Sequence, residues 1–323
     1  DVAEARSLID EFLPREDLAA DPDGFDPDAV APPGAAPVTR LGDIITLGTD
    51  PRTAHRLLCG DSTDAECVQS LMQGERATLF ATDPPYLVGY DGSNHPGSTK
   101  NTRGKNWSSK SVGPGGYGET WDDDSGDPAL YRGFVGAAVA HALRDDAAWY
   151  CWHASRRQAM LEQVWIEFGA FVHCQIIWTK SRSVPTRTWY LWGHEPCLFG
   201  WKKGHRPPRA VNDKLSTVWD LPSTFDGEQR PDHPTPKPLA AFEIPMRQHT
   251  RGGIGEKPAD ICYEPFAGSG TQIVAAQRLG RRCFAMEISP RYCDLVVRRF
   301  IALFGERAVA PEVAEKYRLP PTP

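Results

Sequence analysis

Residues 260–287 read DICYEPFAGSGTQIVAAQRLGRRCFAME, and this stretch decides the fold. Its apolar start predicts a strand, its alanine-rich centre predicts a helix, and its apolar end predicts a second strand. A turn that contains Gly268 and Gly270 separates the first strand from the helix. Strand, glycine turn and helix in this order indicate an α/β protein whose backbone can approach a ligand at the turn. The expected boundaries are 260–264 and 282–287 for the strands and 269–279 for the helix.

Strands and helices alternate through the rest of the chain as well. Apolar, buried-type strands between helices indicate an α/β three-layer sandwich around a mostly parallel sheet. Two short strands are predicted within 41–59, around a turn at 49–51. Further strands are predicted at 77–82, 147–152, 172–179 and 188–201. Further helices are predicted at 128–144, 154–168 and 290–304.

The composition divides the chain into three parts. A helix with apolar spacing over 2–13 and a linker rich in proline, alanine and aspartate occupy residues 1–40. The main domain covers 41–310, and a C-terminal tail covers 311–323. Within the main domain, the glycine-rich segment 87–121 is too flexible for a packed element. A loop of this length predicts either a functional lid or a disordered insertion.

Several classes of protein are excluded by the composition. Of the 323 residues 40% are apolar, the mean hydropathy is −0.44, and no apolar run approaches the roughly 18 residues that span a bilayer. The eight cysteines form no C-x-x-C pair, so neither a zinc site nor a disulfide framework is indicated. These features predict a cytoplasmic protein without a metal. Because the chain begins at Asp1 rather than Met, it is expected to be part of a longer one.

The charge is unevenly distributed along the chain. The net charge is −6, but residues 1–30 carry ten acids and two bases, so the remainder is about +2. The segment 180–214 carries an excess of lysine and arginine, interleaved with Trp189, Tyr190 and Trp192. Cations among aromatic rings indicate a surface that faces a polyanion such as nucleic acid, although a plainly solvated face would have the same charge.

An acid follows the glycine turn at a distance typical of nucleotide-binding folds. Glu287 closes the next strand, seventeen residues beyond Gly270, where it could accept hydrogen bonds from two ribose hydroxyls. A dinucleotide site would carry a third glycine, but that position is Ile273, and no G-x-x-x-x-G-K-[ST] motif is present. The pattern favours a nucleoside-type cofactor over a dinucleotide or ATP. The alternative is a tight strand–helix turn without a ligand.

The tetrapeptide Asp83-Pro84-Pro85-Tyr86 follows a predicted strand, at the edge where open α/β sheets place their ligands. The Asp83 carboxylate can accept one N–H of an exocyclic amino group, and the Pro84 carbonyl can accept the other. The two prolines stiffen the backbone, and the Tyr86 ring can stack on a base. The tetrapeptide therefore predicts a clamp for an amino group on a planar ring, with a strand-terminating turn as the alternative.

These residues resemble the DNA amino-methyltransferases that use S-adenosylmethionine. The order of the motifs, DPPY first and FAGSG near the C-terminus, is similar to the circularly permuted β group of that family. The resemblance covers about 41–304 and implies a Rossmann-like class I methyltransferase fold. It extends to Cys59-Gly60-Asp61, to His194-Glu195 and to HPTPKP at 233–238. Two departures from the family pattern are Pro236 in place of glutamine and Glu264 in place of aspartate.

The resemblance implies roles for individual residues. Asp83, Pro84, Pro85 and Tyr86 would be catalytic. The cofactor site would comprise Asp61, Thr235, Lys237, Glu264, Phe266, Gly268, Ser269, Gly270, Thr271 and Glu287. DNA contacts are expected from the loop 87–121 and from a target-recognition region at about 180–232. The candidates there are Arg103, Lys105, Lys110, Arg182, Arg187, Lys202, Lys203 and Arg206.

The implied reaction is direct transfer of the methyl group to an exocyclic nitrogen of a base that has been flipped out of double-stranded DNA. In the family DPPY usually accompanies N6 of adenine, so a site-specific, nucleoid-associated adenine methyltransferase is expected. The alternatives are an N4-cytosine DNA methyltransferase, an RNA amino-methyltransferase and, from another class, a non-catalytic nucleic-acid-binding partner. Members of this group are often dimers, so the resemblance suggests a homodimer. The N-terminal linker and the residues LGDIITLG and HRLLCGD within 41–61 also resemble proteins in which a ParB-like domain, missing from this chain, precedes the methylase.

Overall fold

A computed structural model describes residues 36–87, 127–184, 190, 192–212, 214–221 and 237–318. The predicted helix at 2–13 and most of the predicted linker and loop 87–121 lie outside these residues. The described part forms one nine-stranded sheet in the order β1-β2-β9-β8-β3-β4-β6-β5-β7. The strands are β1 Ile44–Leu47, β2 His55–Cys59, β3 Ala77–Thr82, β4 Leu143–Trp152, β5 Ala170–Val184, β6 Trp192–Lys202, β7 Val218–Asp220, β8 Ile261–Glu264 and β9 Arg282–Glu287.

The sheet is mostly parallel. Antiparallel pairing joins β1 to β2, β4 to β6 and β5 to β6. The other neighbours, including β3 with β8 and β8 with β9, are parallel. The helices are α1 Ala65–Met72, α2 Ala129–Ala137, α3 Gln158–Glu167, α4 Ala240–His249, α5 Thr271–Leu279, α6 Pro290–Phe304 and α7 Pro311–Lys316.

Two apolar cores, one on each face of the sheet, hold the layers together. Helices α1, α2 and α3 cover one face through buried side chains such as Val68, Phe134 and Leu161. Helices α4, α5 and α6 cover the other face through residues such as Ile273 and Val297. The α/β fold with a mostly parallel sheet between helical layers, which the sequence predicts, is thereby confirmed.

Some predicted boundaries and elements are wrong. The predicted helix 128–144 ends earlier, because a π-helical turn at Ala138–Ala142 closes it and β4 begins at Leu143, which pairs with Ala77. The start of β4 is not evident from the sequence, because its first residues are largely polar and lack the apolar pattern of a buried strand. Helices α1 and α4 and strand β7 were not predicted from the sequence. Helix α4 contains Pro245, a residue that normally argues against a helix interior.

The two ends of the described chain meet on α6. The Asp294 carboxylate accepts hydrogen bonds from the backbone N–H groups of Val38 (2.8 Å) and Thr39 (2.9 Å). The Thr39 hydroxyl hydrogen-bonds the hydroxyl of Tyr317, which is buried at the end of α7. The segment expected to be a C-terminal tail thus begins with a packed helix. Across the described ranges, we find no helix with the length and apolarity that crossing a bilayer requires.

Candidate active site

The two motifs that the sequence singles out meet at the carboxyl edge of the sheet. Strands β3 and β8 are parallel neighbours, with Leu79 opposite Cys262 and Phe80 opposite Tyr263. Asp83 follows β3, and the glycine loop follows β8, so both motifs leave the sheet side by side. Transfer of a group from a cofactor to an amino group requires that these two motifs be adjacent.

Glu264 connects the two motifs below the surface. Its Oε1 accepts hydrogen bonds from the Thr82 hydroxyl (2.6 Å) and from the Phe266 N–H (3.0 Å). With the Gln272 amide turned so that its nitrogen faces the acceptors, this nitrogen donates to Glu264 Oε2 and to the Ala81 carbonyl, each at 2.7 Å. Burial raises the pKa of Glu264 well above its usual range. Its side chain is 2% exposed, so its hydrogen bonds connect the DPPY segment and the glycine loop inside the protein.

The glycine loop has the backbone that its sequence requires. Gly268 (φ 50°) and Gly270 (φ 81°) both lie in the left-handed region. A Cβ on Gly270 would lie 2.8 Å from Cγ1 of Val296 on α6, whereas a Cβ on Gly268 would meet no atom within 4 Å. Gly270 therefore allows the loop to pack against α6, and Gly268 faces open space. The half-buried Phe266 ring packs edge-on against Phe134 at 4.9 Å between centroids.

Glu287 lies at the end of β9, beside the glycine loop. Its Oε2 accepts from the Gly268 N–H (2.9 Å), and its Oε1 accepts from the Ser289 N–H (3.0 Å). Burial raises the pKa of Glu287 to about 7, although these backbone hydrogen bonds act in the opposite direction. Each carboxylate oxygen has a further lone pair, which the hydroxyls of a ribose could use.

Asp61 lies at the same edge of the sheet as Glu287. Cys59 pairs with Glu287 in the register of β2 and β9, and the Gly60 N–H donates to the Glu287 carbonyl at 2.9 Å. The Asp61 side chain is exposed, and its Oδ1 accepts from the N–H and the hydroxyl of Thr63, each at 2.8 Å. The sequence-predicted cofactor residues that the structure describes on β2, β8, β9 and their loops are thus brought together.

Arg299 supports the glycine loop and was missed by the sequence analysis. It projects from α6, is 1% exposed, and its Nη1 donates to the Ser269 carbonyl (3.1 Å), the Ser269 hydroxyl (3.3 Å) and the Thr271 hydroxyl (3.2 Å). Its position three residues after Val296, on the apolar face of the helix, was the available signal. A cation at such a position requires buried acceptors.

The second half of the site is a cluster of charged and hydroxyl groups around Asp83. Lys237 Nζ lies 2.9 Å from Asp83 Oδ1, 2.8 Å from Glu195 Oε2 and 2.8 Å from the Tyr86 hydroxyl. The Tyr86 hydroxyl also lies 2.9 Å from Asp83 Oδ1 and 3.1 Å from Glu195 Oε2. The resemblance placed Lys237 with the cofactor residues. The structure shows it bound to the carboxylate of DPPY.

The charges of this cluster reinforce one another. Burial opposes the charge of Lys237, but the Asp83 and Glu195 carboxylates raise the pKa of its ammonium above the usual range. Burial likewise opposes ionisation of Glu195, yet Lys237 and Lys180 lower its pKa to about 2. Burial and the two carboxylates raise the pKa of Tyr86 well above its usual range, so its hydroxyl stays protonated. The cluster therefore contains stable ions and a stable hydrogen-bond donor.

Two further side chains hold the backbone of the DPPY segment in place. The Tyr131 hydroxyl donates to the Pro85 carbonyl at 2.8 Å. The Arg157 guanidinium donates to the carbonyl of Leu87 through Nε (2.8 Å) and Nη2 (2.5 Å), and Leu87 has a positive φ of 51°. These contacts from α2 and from the start of α3 fix the direction in which the Asp83 and Tyr86 side chains leave the sheet.

The three predicted DNA-binding cations whose side chains the structure describes, Lys202, Lys203 and Arg206, do not lie at this site. Lys202 ends β6 opposite Ala170, at the other edge of the sheet, and pairs with Asp145 at 2.6 Å. Lys203 lies in the turn that follows β6, and Arg206 comes after that turn. Among the basic residues of 180–214, Lys180 does reach the site and contacts Glu195 at 2.5 Å. The remaining candidates, Arg103, Lys105, Lys110, Arg187, the Arg182 side chain and the cofactor candidate Thr235, lie outside the described residues.

Comparisons with known proteins agree with this geometry. A family model described as DNA methylase, for N6-adenine and N4-cytosine methyltransferases, matches residues 77–298. The Escherichia coli protein YubD, whose name describes it as a putative methylase, is 24% identical over 231 residues, which cover 71% of this chain and 84% of that protein. The E. coli DNA adenine methyltransferase YhdJ is 30% identical over 110 residues, which cover 33% of this chain and 35% of that protein.

Solved structures share the fold. The cytosine-N4-specific DNA methyltransferase PvuII has a TM-score of 0.57 at 15% identity and covers 88% of this chain and 96% of its own. The structure of M1.HpyAVI has a TM-score of 0.50 at 17% identity and covers 75% of this chain and 97% of its own. The family match spans more than half of the chain and contains both motifs. The chain therefore belongs to the family of N6-adenine and N4-cytosine DNA methyltransferases, whose methyl donor is S-adenosylmethionine.

Proposed function

We propose that the chain methylates N6 of adenine in double-stranded DNA, by base flipping and direct transfer. One observation carries this proposal: the Asp83 carboxylate and the Tyr86 ring stand beside the glycine loop, and Glu264 links the segments that hold them. An acceptor for an amino group and a cradle for a methyl donor are thus adjacent. Methylation of an amino group uses both the acceptor and the glycine loop, whereas a non-catalytic nucleic-acid-binding partner would need neither.

The cofactor half has the donor and acceptor set that a nucleoside requires. The half-buried Glu287 carboxylate, with its pKa raised to about 7, can accept hydrogen bonds from ribose hydroxyls. The open space at Gly268 leaves room for a ligand against the backbone. When bound, S-adenosylmethionine would supply an activated methyl group on a sulfonium sulfur. We propose Asp61, Phe266, Gly268, Ser269, Gly270, Thr271 and Glu287 as the residues around it, with Glu264 and Arg299 as their supports.

In the target half, Asp83 would hold the amino group and stabilise the positive charge that develops on its nitrogen. Its carboxylate accepts one N–H of the base, and the Pro84 carbonyl is positioned by the stiff Pro-Pro backbone to accept the other. These acceptors would favour a tetrahedral nitrogen and aim its lone pair at the methyl carbon, which bound S-adenosylmethionine would release from its sulfur as the new N–C bond formed. The methylated nitrogen then loses a proton, for which Asp83 is the adjacent acceptor. Lys237 remains protonated and does not act as the base.

The choice of adenine rests on narrower support. DPPY usually accompanies adenine in the family that this chain resembles, and the YhdJ relative is named as a DNA adenine methyltransferase. The fold alone does not separate the two bases, because the similar PvuII structure is cytosine-N4-specific. Methylation of N4 of cytosine is therefore the outcome that would contradict this part of the proposal.

Sequencing that detects methylated bases, applied to DNA from cells that express the protein, tests base and sequence together. We expect N6-methyladenine at one short motif and none in cells that express Asp83→Ala. N4-methylcytosine at such a motif would keep the methyltransferase but overturn the adenine assignment. Tritiated methyl transfer to purified duplex and RNA oligonucleotides checks the same point in vitro, and transfer only to RNA would overturn the DNA substrate.

Recognition of the duplex would involve the region at about 180–232 and the loop 87–121. Beyond Leu87 this loop lies outside the described residues, so its role remains a prediction. The target-recognition region has few residues for a DNA reader, which favours either a short motif or a homodimer. Light scattering on the purified protein with and without the methylated motif would distinguish these two arrangements.

A further inference from the structure

The place that a target amino group must take is filled by a side chain of the protein itself. Asp83 Oδ1, the proposed acceptor, receives the Lys237 ammonium at 2.9 Å. An ammonium nitrogen with its hydrogens resembles an exocyclic amino group in size and in hydrogen-bond donation. Lys237 therefore occupies one of the two oxygens of the carboxylate that the base would use.

The buried Lys237 ammonium has few alternative partners when a base binds Asp83. Its side chain is 8% exposed, and its ammonium lies 5.2 Å from the centroid of the Tyr86 ring and 5.4 Å from that of Trp152. A buried cation that loses one carboxylate must keep another, because an unpaired buried charge is strongly unfavourable. Glu195 Oε2, at 2.8 Å, is the acceptor already in contact.

Glu195 is built to serve as that second acceptor. It projects from β6, and its two oxygens contact different cations: Oε2 contacts Lys237, and Oε1 contacts Lys180 at 2.5 Å. Lys180 keeps Glu195 ionised and oriented even while Lys237 is shared with Asp83. The Tyr86 hydroxyl lies within hydrogen-bond distance of both carboxylates but has a single proton to donate. Donation to Glu195 leaves Asp83 Oδ1 available to the base.

We propose that Lys237 is a displaceable occupant of the amino-group site, and that Glu195 is a positioning residue that retains Lys237 when the target base binds Asp83. This inference rests on the proposed function. In the absence of DNA, Lys237 shields the carboxylate. During catalysis it remains on Glu195 and is not a ligand of the base. Glu195 thus lowers the cost of base entry without touching the transferred methyl group.

A double-variant comparison tests this arrangement. The substrate is a duplex that carries the motif found by the sequencing experiment, and the full chain is used throughout. Glu195→Gln leaves Lys237 with Asp83 as its remaining carboxylate, so KM for DNA is expected to rise roughly tenfold, the effect of one charged hydrogen bond. Adding Lys237→Met removes the competitor. The double variant is therefore expected to recover most of the lost KM, although it lacks both side chains.

Base flipping provides the second measurement. Fluorescence of 2-aminopurine placed next to the target adenine, which keeps its N6 amino group, should be weaker with Glu195→Gln than with the unaltered protein, and stronger again with the double variant. A purely structural role of Glu195 would make the double variant no better than Glu195→Gln, and this result would overturn the inference. Should Lys237→Met prevent folding, Lys237→Gln in the Glu195→Gln background allows the same comparison.

Controls separate this inference from the proposed function. Lys257→Met makes the same chemical change at an exposed lysine before β8, at the opposite edge of the sheet, and is expected to leave KM unchanged. Calorimetric binding of S-adenosylmethionine checks that each variant keeps a folded cofactor site. If the unaltered protein methylates no DNA, the proposed function fails. If it methylates DNA but the double variant shows no recovery, the Lys237 inference alone fails.

Discussion

Apart from Asp61, the cofactor half of the site comes from one nearly continuous stretch of chain, whereas the target half is assembled from distant segments. From β8 to α6, residues 261–304 supply the glycine loop, Glu287 and Arg299, and backbone N–H groups provide many of the contacts. The target half takes Asp83 from the end of β3, Glu195 from β6 and Lys237 from the segment before α4. Its contacts are ion pairs between side chains.

This difference separates binding from chemistry. A loop held by backbone hydrogen bonds and glycine geometry can bind the same cofactor with little dependence on distant residues. A carboxylate held in a buried ion-pair cluster responds to changes in several strands at once, because each charge depends on its partners. Substitutions in one half should therefore change cofactor affinity, and substitutions in the other should change transfer.

The strongest test of this separation is Asp83→Ala. We expect methyl transfer to fall by about 10²–10³-fold or more, because the amino nitrogen loses the charged acceptor that holds it. The dissociation constant for S-adenosylmethionine, measured by calorimetry, should stay near that of the unaltered protein. Substantial turnover in this variant would remove Asp83 from the mechanism, and a large loss of cofactor affinity would show that the two halves are not separate.

A smaller effect is expected from Glu287→Gln in the cofactor half. Loss of the carboxylate should weaken cofactor binding by roughly tenfold, the effect of charge-assisted hydrogen bonds to ribose. Because the pKa of Glu287 is raised to about 7, the carboxylate is mostly protonated below that pH and ionised above it. Cofactor affinity of the unaltered protein should therefore rise as the pH increases through about 7.

Calorimetry at several pH values between 6 and 8 measures this dependence. The Glu287→Gln variant should lack the pH dependence, since its amide does not titrate there. An affinity that is independent of pH in the unaltered protein, or an unchanged dissociation constant in the variant, would count against contact between Glu287 and the ribose.

The same contrast explains what could be predicted from the sequence. Strands 77–82 and 282–287 and helix 290–304 have the predicted boundaries, because local apolar patterns and glycine turns determine them. The glycine loop and Glu287 belong to one local motif, so their adjacency follows from chain order. The Lys237 contacts do not, because they depend on β6 and β3 lying on either side of β4 in the sheet.

Two features show the limits of local patterns. Basic residues of 180–214 form one cluster in the sequence, but β5 and β6 are antiparallel, so Lys180 lies at the carboxyl edge and Lys202 at the other. Helix α4 was missed because it contains Pro245 and is buried on nearly all sides, which leaves no amphipathic pattern. Tertiary packing decides such elements.

Arg299→Met sharpens the description of the cofactor half. The variant loses the hydrogen bonds to Ser269 and Thr271, so the free energy of unfolding should fall by about 1–3 kcal/mol. Cofactor affinity should fall several-fold, while transfer at saturating cofactor should stay nearly unchanged. Thermal denaturation and calorimetry measure the two effects. Arg307→Met, at an exposed arginine after α6, is the matched control, and an equal loss there would contradict a specific role for Arg299.

The smallest effect on methyl transfer is expected from Asp294→Asn, also on α6 but on the side away from both halves of the site. Asp294 receives the N–H groups of Val38 and Thr39, and asparagine keeps only one acceptor oxygen for these two donors. The free energy of unfolding should fall by about 1–2 kcal/mol. Denaturant unfolding measures this loss, while the dissociation constant for the cofactor and the transfer rate should not change. A change in either quantity would mean that the contact between residues 38–39 and α6 affects the site. Helix α6 would then couple residues 38–39 to the glycine loop through Arg299.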